Sequence, residues 1–104
     1  MKLRFTPRAM NDLMAIRRFI RDEYGNPKAA KRITDRILAQ CASLKQFPQS
    51  GMALSARFGI DTDVRYLVCE GYMIFYRVEG EFVSVGAVIH GKTDYLHILF
   101  GKSL

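Results

Sequence analysis

The 104-residue sequence has no tryptophan, three prolines and only two cysteines. Cys41 and Cys69 stand 28 residues apart, with no Cys-x-x-Cys pair. That excludes a disulfide framework and a cysteine-based zinc site, and it suits a reducing compartment. The longest apolar runs, such as Tyr72–Tyr76 and Val85–Ile89, are far too short to span a bilayer. Pro7 and Arg8 interrupt any leader that Lys2 and Arg4 could open. The expected location is the cytoplasm. A Gly-rich phosphate loop, His-Glu-x-x-His and Gly-x-Ser-x-Gly are all missing. Those absences remove the P-loop, zincin and serine-hydrolase chemistries. Without internal repeats, low-complexity stretches or linkers, the length supports one domain over residues 1–104.

What is present is ordinary in amount and uneven in placement. At 49% hydrophobic and 25% charged residues, the chain has the composition of a folded domain. The net charge is +6. Residues 1–48 hold 11 Lys or Arg against 4 Asp or Glu, a balance of +7, whereas residues 49–104 hold 5 against 6, a balance of −1. A basic N-terminal half favours nucleic acid, ribosomes or acidic protein segments. It is equally compatible with a solvated helix face.

Lys2 to Thr6 alternates polar and apolar residues, with Leu3 and Phe5 on one side, which predicts a short half-buried strand. Thr6 fits a helix N-cap and Pro7 the first helical position. Ala9, Leu13, Ile16, Ile20 and Tyr24 follow at spacings of 4, 3, 4 and 4, the stripe of an amphipathic helix; Arg8, Asp12, Arg18 and Asp22 occupy its polar face. Gly25 suits a left-handed cap, and Asn26-Pro27 opens a second helix expected to reach about Phe47. Its stripe is Ala30, Ile33, Ile37, Cys41 and Leu44. The short link predicts an antiparallel helical hairpin.

Residues 49–62 lack periodicity and read as a loop. Arg65–Cys69, Tyr72–Val78 and Phe82–Ile89 then read as a three-stranded meander turning at Glu70-Gly71 and Glu79-Gly80. In the last strand Val83, Val85, Ala87 and Ile89 are expected to face the helices. Thr93 is expected to cap a short closing helix from Asp94 to about Leu99. The predicted fold class is α+β, in the order β-α-α-β-β-β. The hairpin packs on one face of a mainly antiparallel sheet whose other face is partly open. The expected core includes Leu13, Ile16, Ile20, Ile33, Ile37, Leu44, Val85 and Ile89.

The residues able to carry chemistry gather near the C-terminus: His90, Lys92, Thr93, Asp94, Tyr95 and His97. Metal-free RNA cleavage needs proton-transfer groups and cations around the phosphate. His90 and Tyr95 could move protons, while Arg65, Arg77 and Lys92 could steady phosphate. The structural readings carry at least equal weight. His90 can cap the strand end through backbone hydrogen bonds, and Tyr95 and His97 can anchor the closing helix. Tyr66, Tyr72, Phe75 and Tyr76 suit core and cross-strand packing better than base stacking. His90, Asp94 and His97 are too few ligands to specify a metal site, so neither metal nor cofactor is expected.

The chain resembles the RelE/ParE toxin superfamily over nearly its whole length. The resemblance lies in the first strand, the hairpin ending Phe47-Pro48-x-x-Gly51, Val64-Arg65-Tyr66, and Tyr72–Val78 as central strand. Its most specific part is Val88-Ile89-His90-Gly91-Lys92-Thr93-Asp94-Tyr95, followed by the apolar tail Leu96–Phe100. Such ParE-type endings commonly carry arginine where this chain has Lys92 or Thr93. The resemblance implies the toxin of a type II toxin–antitoxin pair of the plasmid-stabilisation kind, held in check by an acidic, partly disordered antitoxin. It implies either of two activities. A ParE-like chain arrests growth by inhibiting DNA gyrase, with Tyr95, His97, Leu99 and Phe100 as target-binding residues. A RelE-like chain is a metal-independent, ribosome-dependent messenger endoribonuclease, with Arg65, Tyr95, Lys92 and His90 as catalytic candidates. The ParE-like reading is preferred, and a non-toxic basic binding module remains a third possibility.

Overall fold

The computed structural model describes residues 1–101. Strand β1 (Lys2–Phe5) leads into helix α1 (Pro7–Glu23), then α2 (Pro27–Ser43). A short strand β2 (Met52–Ala53) and a helix α3 (Leu54–Phe58) precede the meander β3 (Arg65–Cys69), β4 (Tyr72–Glu79) and β5 (Phe82–His90). Helix α4 (Tyr95–Phe100) closes the chain. No described helix is long and apolar enough to cross a membrane.

The helix boundaries follow from local chemistry. Thr6 Oγ1 accepts the Ala9 N–H at 3.1 Å, and Asn26 Oδ1 accepts the Ala29 N–H at 3.0 Å. Both caps satisfy donors that the first turn leaves orphaned, with proline in the next position. At Glu70-Gly71 both residues have positive φ, 55° and 80°, as a two-residue hairpin of the primed type requires. Glu70 is held there by Arg32 and Arg36, whose guanidinium groups reach its carboxylate from α2.

The sheet order is β1-β5-β4-β3-β2. All neighbours are antiparallel except β1 and β5, which pair in parallel from Lys2 opposite Phe82 to Phe5 opposite Val85. One core lies between the helical hairpin and the sheet, built on Ala9, Leu13, Ile16, Ile20, Ile37, Cys41, Leu44, Ile74, Tyr76 and Val83. A second lies on the opposite face, where α3 and α4 bring Leu54 and Leu96 onto Tyr66, Met73, Phe75, Ala87 and Ile89.

Several expectations need correction. The aperiodic segment 49–62 is not all loop, because it contains β2 and α3. The second helix stops at Ser43, with Leu44 as its cap, rather than reaching Phe47. Asp94, not Thr93, caps the closing helix. Tyr24 is exposed beyond the end of the α1 stripe, and Ile33 is only partly buried.

The facing of β5 is the largest difference. Tyr76 pairs with Val85 but Phe75 pairs with Ala87, so Gly86 is an extra residue in β5. A bulge of this kind inverts the alternation downstream. Val83 and Val85 therefore face the helices as expected, whereas Ala87 and Ile89 join the second core and Val88 takes the helix side. The second face is correspondingly less open than expected, because α3 and α4 cover part of it.

Candidate functional site

Beyond β5 the chain makes the turn Gly91–Thr93 and enters α4. His90 closes β5 and meets Tyr72 edge to face at 5.2 Å between ring centroids. Its Nδ1 accepts the Lys92 N–H at 3.2 Å, and its carbonyl accepts the Thr93 N–H at 2.9 Å. The strand-capping expectation for His90 thus describes its contacts, and Lys92 projects from an exposed turn. Phe19 and Tyr24, edge to face at 5.4 Å, stand across from this pair. Together with Ala15 and Ile16 they wall a groove of about 490 Å³ beside β5. Burial, with Tyr24 nearby, pushes the Tyr72 phenol above its ordinary value.

The groove exists because β1 ends at Phe5 and pairs with β5 only as far as Val85. The remaining β5 edge meets α1 instead. There Asp12 Oδ2 accepts the Val88 N–H at 2.9 Å. Asp12 is consequently half-buried and structural, not one more polar residue on an outward helix face.

Tyr95 lies on the other side of the sheet. Its ring packs 5.3 Å from Phe75 and 6.1 Å from Phe58. Tyr66 shares that face, and its hydroxyl accepts a hydrogen bond from Arg57 Nη1 at 2.8 Å. That bond, followed by attraction to the Tyr66 and Tyr95 hydroxyls, raises the Arg57 pKa further above its already basic value. Sequence reasoning missed Arg57 because it fell in the segment read as loop. An apolar Leu54 four residues before Phe58 was the only local hint of a helix there.

Arg65 is on the helix side. It pairs with Tyr76 across β3 and β4, and its Nη1 donates to the Gly51 carbonyl at 2.8 Å. Tyr76 completes the same arrangement: its hydroxyl donates to the Pro48 carbonyl and accepts the Gly51 N–H, both at 2.8 Å. Arg65 and Tyr76 therefore pin the turn after α2. Burial raises the Tyr76 phenol pKa, an effect only partly offset by the Gly51 N–H and the Arg65 charge.

The four catalytic candidates are thus not brought to one place: only His90 and Lys92 adjoin. Arg65 and Tyr95 project from opposite faces of the sheet. His90 shares the helix side with Arg65, but it pairs with Tyr72, four residues along β4 from Tyr76. At about 3.3 Å per residue that is roughly 13 Å along the strand. Arg77 is also outside any cluster, since its Nε donates to Asp63 Oδ1 at 2.8 Å. Among the described residues no group of three or more His, Cys, Asp or Glu could hold a metal ion.

The tail residues are arranged differently. Asp94 Oδ1 accepts the His97 N–H at 3.4 Å, which starts α4. Leu96 is buried, while Leu99 and Phe100 pack at the edge of the second core and line a groove of about 280 Å³ over Ser84, Gly86 and Arg77. His97 and Ile98 face outward. The segment Tyr95–Phe100 is therefore carried on a short helix supported by the second core. A family profile described as "ParE toxin of type II toxin-antitoxin system, parDE" matches residues 3–95.

The chain belongs to the ParE toxin family.

A solved chain titled "Chromosomal ParDE TA system from P. aeruginosa" is similar to it, with 25% sequence identity and a TM-score of 0.71. That similarity covers 86% of this chain and 95% of the other. No curated protein matches. This ParE-family chain is accordingly the toxin component of a type II toxin–antitoxin system, and the ParDE assignment implies an antitoxin partner. The extra β2 and α3, absent from the expected element order, fall inside the matched span.

Proposed function

We propose that this ParE-family toxin acts in the cytoplasm and arrests growth by binding and inhibiting DNA gyrase, with α4 as part of the binding surface. The observation that carries the reading is the dispersal of Arg65, Tyr95 and His90 over two faces and two ends of the sheet. Acid–base cleavage requires its groups within hydrogen-bonding reach of one substrate bond. A binder has no developing charge to stabilise, and its energy comes from a few well-placed anchors. His97, Leu99 and Phe100, with the Tyr95 ring behind them, supply such anchors on a short rigid helix.

A second reading has one specific observation in its favour. Arg57, Tyr66 and Tyr95 place a cation and two phenols on the same face. If the toxin cleaved messenger RNA, Arg57 rather than Arg65 would serve the phosphate. The purified toxin should be tested in a gyrase supercoiling assay and on messenger-loaded ribosomes. Inhibited supercoiling, weakened by His97→Ala with Phe100→Ala in a folded variant, is the expected result. Codon-phased cleavage lost in Arg57→Gln and Tyr95→Phe, with supercoiling untouched, would overturn the gyrase reading in favour of RNA cleavage.

A further inference from the structure

We propose that the cleft between α1 and the open edge of β5 binds an adenine nucleotide, with the base between two aromatic walls and its amino edge on the backbone of Val88 and His90. Such a site draws on neither gyrase nor α4, which lies against the other face of the sheet.

The open edge follows from strand register. The Gly91 N–H donates to the Gly71 carbonyl at 2.9 Å, which makes the next pair along, Tyr72 with His90, a non-hydrogen-bonded one. Two residues back, Ile74 with Val88 is another. The N–H and C=O groups of Val88 and His90 therefore point away from β4, toward the edge that β1 leaves uncovered after Val85. Half of these groups are satisfied locally. Asp12 Oδ2 accepts the Val88 N–H at 2.9 Å, and the His90 carbonyl accepts the Thr93 N–H at 2.9 Å. The Val88 carbonyl and the His90 N–H remain, an acceptor and a donor side by side, without a hydrogen-bond partner among the described residues. Both residues line the groove, and Val88 is only 3% exposed, so bulk water serves its carbonyl poorly.

The walls fit a planar heterocycle. The Phe19–Tyr24 pair stands across from the Tyr72–His90 pair, and the same four rings border an adjoining hollow of about 440 Å³, so the cleft continues beyond the groove. Aromatic walls stack on any base; the backbone edge selects among bases. Adenine presents its N1 acceptor to the His90 N–H and its amino group to the Val88 carbonyl. The second amino hydrogen is left for the Asp12 carboxylate, which sits on the same residue. Hypoxanthine in that orientation reverses both bonds, setting its carbonyl against Val88 and its N–H against His90. Turning the ring over would restore them but carry the phosphate away from Arg8. Arg8 lines the groove, and its one ion pair among the described residues is the 3.5 Å contact with Asp12, so its other N–H groups can take a phosphate. An added peptide strand fits worse, because Asp12 and Thr93 close the ladder on both sides of the single open pair.

The test titrates AMP into wild-type toxin freed from its antitoxin and follows backbone amides and ring protons by NMR. The His90 amide should shift saturably, and the Phe19 and Tyr24 ring protons should move with it. IMP, which replaces the amino group by a carbonyl, should bind at least about tenfold more weakly than AMP. Phe19→Leu with Tyr24→Leu should weaken AMP by at least about tenfold through lost stacking. Arg8→Gln should bring AMP down to the affinity of adenosine and leave adenosine itself unchanged. Equal affinity for AMP and IMP, or an AMP titration that leaves the His90 amide unmoved, would overturn the proposal. So would a short oligoadenylate that binds through these residues while AMP does not, since the cleft would then belong to a nucleic-acid strand. The comparison of AMP with IMP is made on the unaltered protein, so a variant that fails to fold does not decide the outcome. None of these readouts involves supercoiling, so failure of the gyrase reading leaves this result standing, and the reverse.

Discussion

Tyr76→Phe removes one oxygen atom from the centre of the turn that follows α2. The Tyr76 side chain is essentially fully buried, and its hydroxyl makes two 2.8 Å hydrogen bonds, to the Pro48 carbonyl and from the Gly51 N–H. Phenylalanine keeps the ring and its packing, so the change isolates the polar contribution. The Gly51 N–H is buried and loses its only acceptor, at a cost of about 1–3 kcal/mol for an orphaned buried donor. Pro48 is only partly buried, so water can reach its carbonyl and the further loss is about 0.5 kcal/mol. Relief of the hydroxyl's own desolvation offsets part of this, leaving about 2 kcal/mol. In a domain of this length that corresponds to a fall in Tm of roughly 10 °C. Arg65 donates to the same Gly51, so Tyr76→Phe and Arg65→Ala should be non-additive. A Cβ on Gly51 would lie 2.5 Å from the Tyr76 hydroxyl oxygen and 2.8 Å from the Tyr66 carbonyl, which makes Gly51→Ala a second probe of the same lock. Urea denaturation of toxin freed from its antitoxin measures the effect. A Tyr76→Phe loss under about 0.5 kcal/mol would refute the reasoning, because it would mean that water replaces both contacts.

Leu54→Ala should destabilise by about 2–4 kcal/mol in the same assay, since Leu54 is fully buried in the second core; a loss below about 1 kcal/mol would show that α3 does not seal that face. Burial pushes the Cys41 thiol up to about 12 from 9.0. The raised value favours the protonated thiol in the folded state, so this stabilisation is complete below pH 9.0 and is lost as pH rises through about 12. The urea midpoint should fall progressively over that range and fall less steeply in Cys41→Ala. Equal slopes in the two proteins would contradict it.

The features read correctly before the structure are those specified over a few residues. Thr6-Pro7 and Asn26-Pro27 start helices because side chain, missing N–H and preset φ act locally. The 3.6-residue stripe of α1, from Ala9 to Ile20, records which side meets an apolar surface. The segment Val88–Tyr95 was legible for the same reason, as a run of adjacent residues, and it lies inside the span that the family profile matches. Where the local signal was weak, the reading failed. Segment 49–62 hid β2 and α3, whose order comes from pairing with β3 and from Leu54 entering the second core.

What sequence by itself determined is the helices α1, α2 and α4, the principal strands, the apolar stripes of the hairpin and its basic bias. Tertiary structure alone decided which strand receives β1, since an edge strand of four residues carries no mark of its partner. It also decided the inversion at Gly86: a glycine can continue a strand or bulge out of it, and only the register against Phe75 and Tyr76 selects the bulge. That one residue sends Ile89 to the second core and His90 to the helix side. Arg65 and Tyr95, adjacent in no local sense, end on opposite faces because facing is set by each strand's pairing and by the turn into α4. Chemistry requires convergence in space, and convergence is a non-local property that spacing along the chain does not encode.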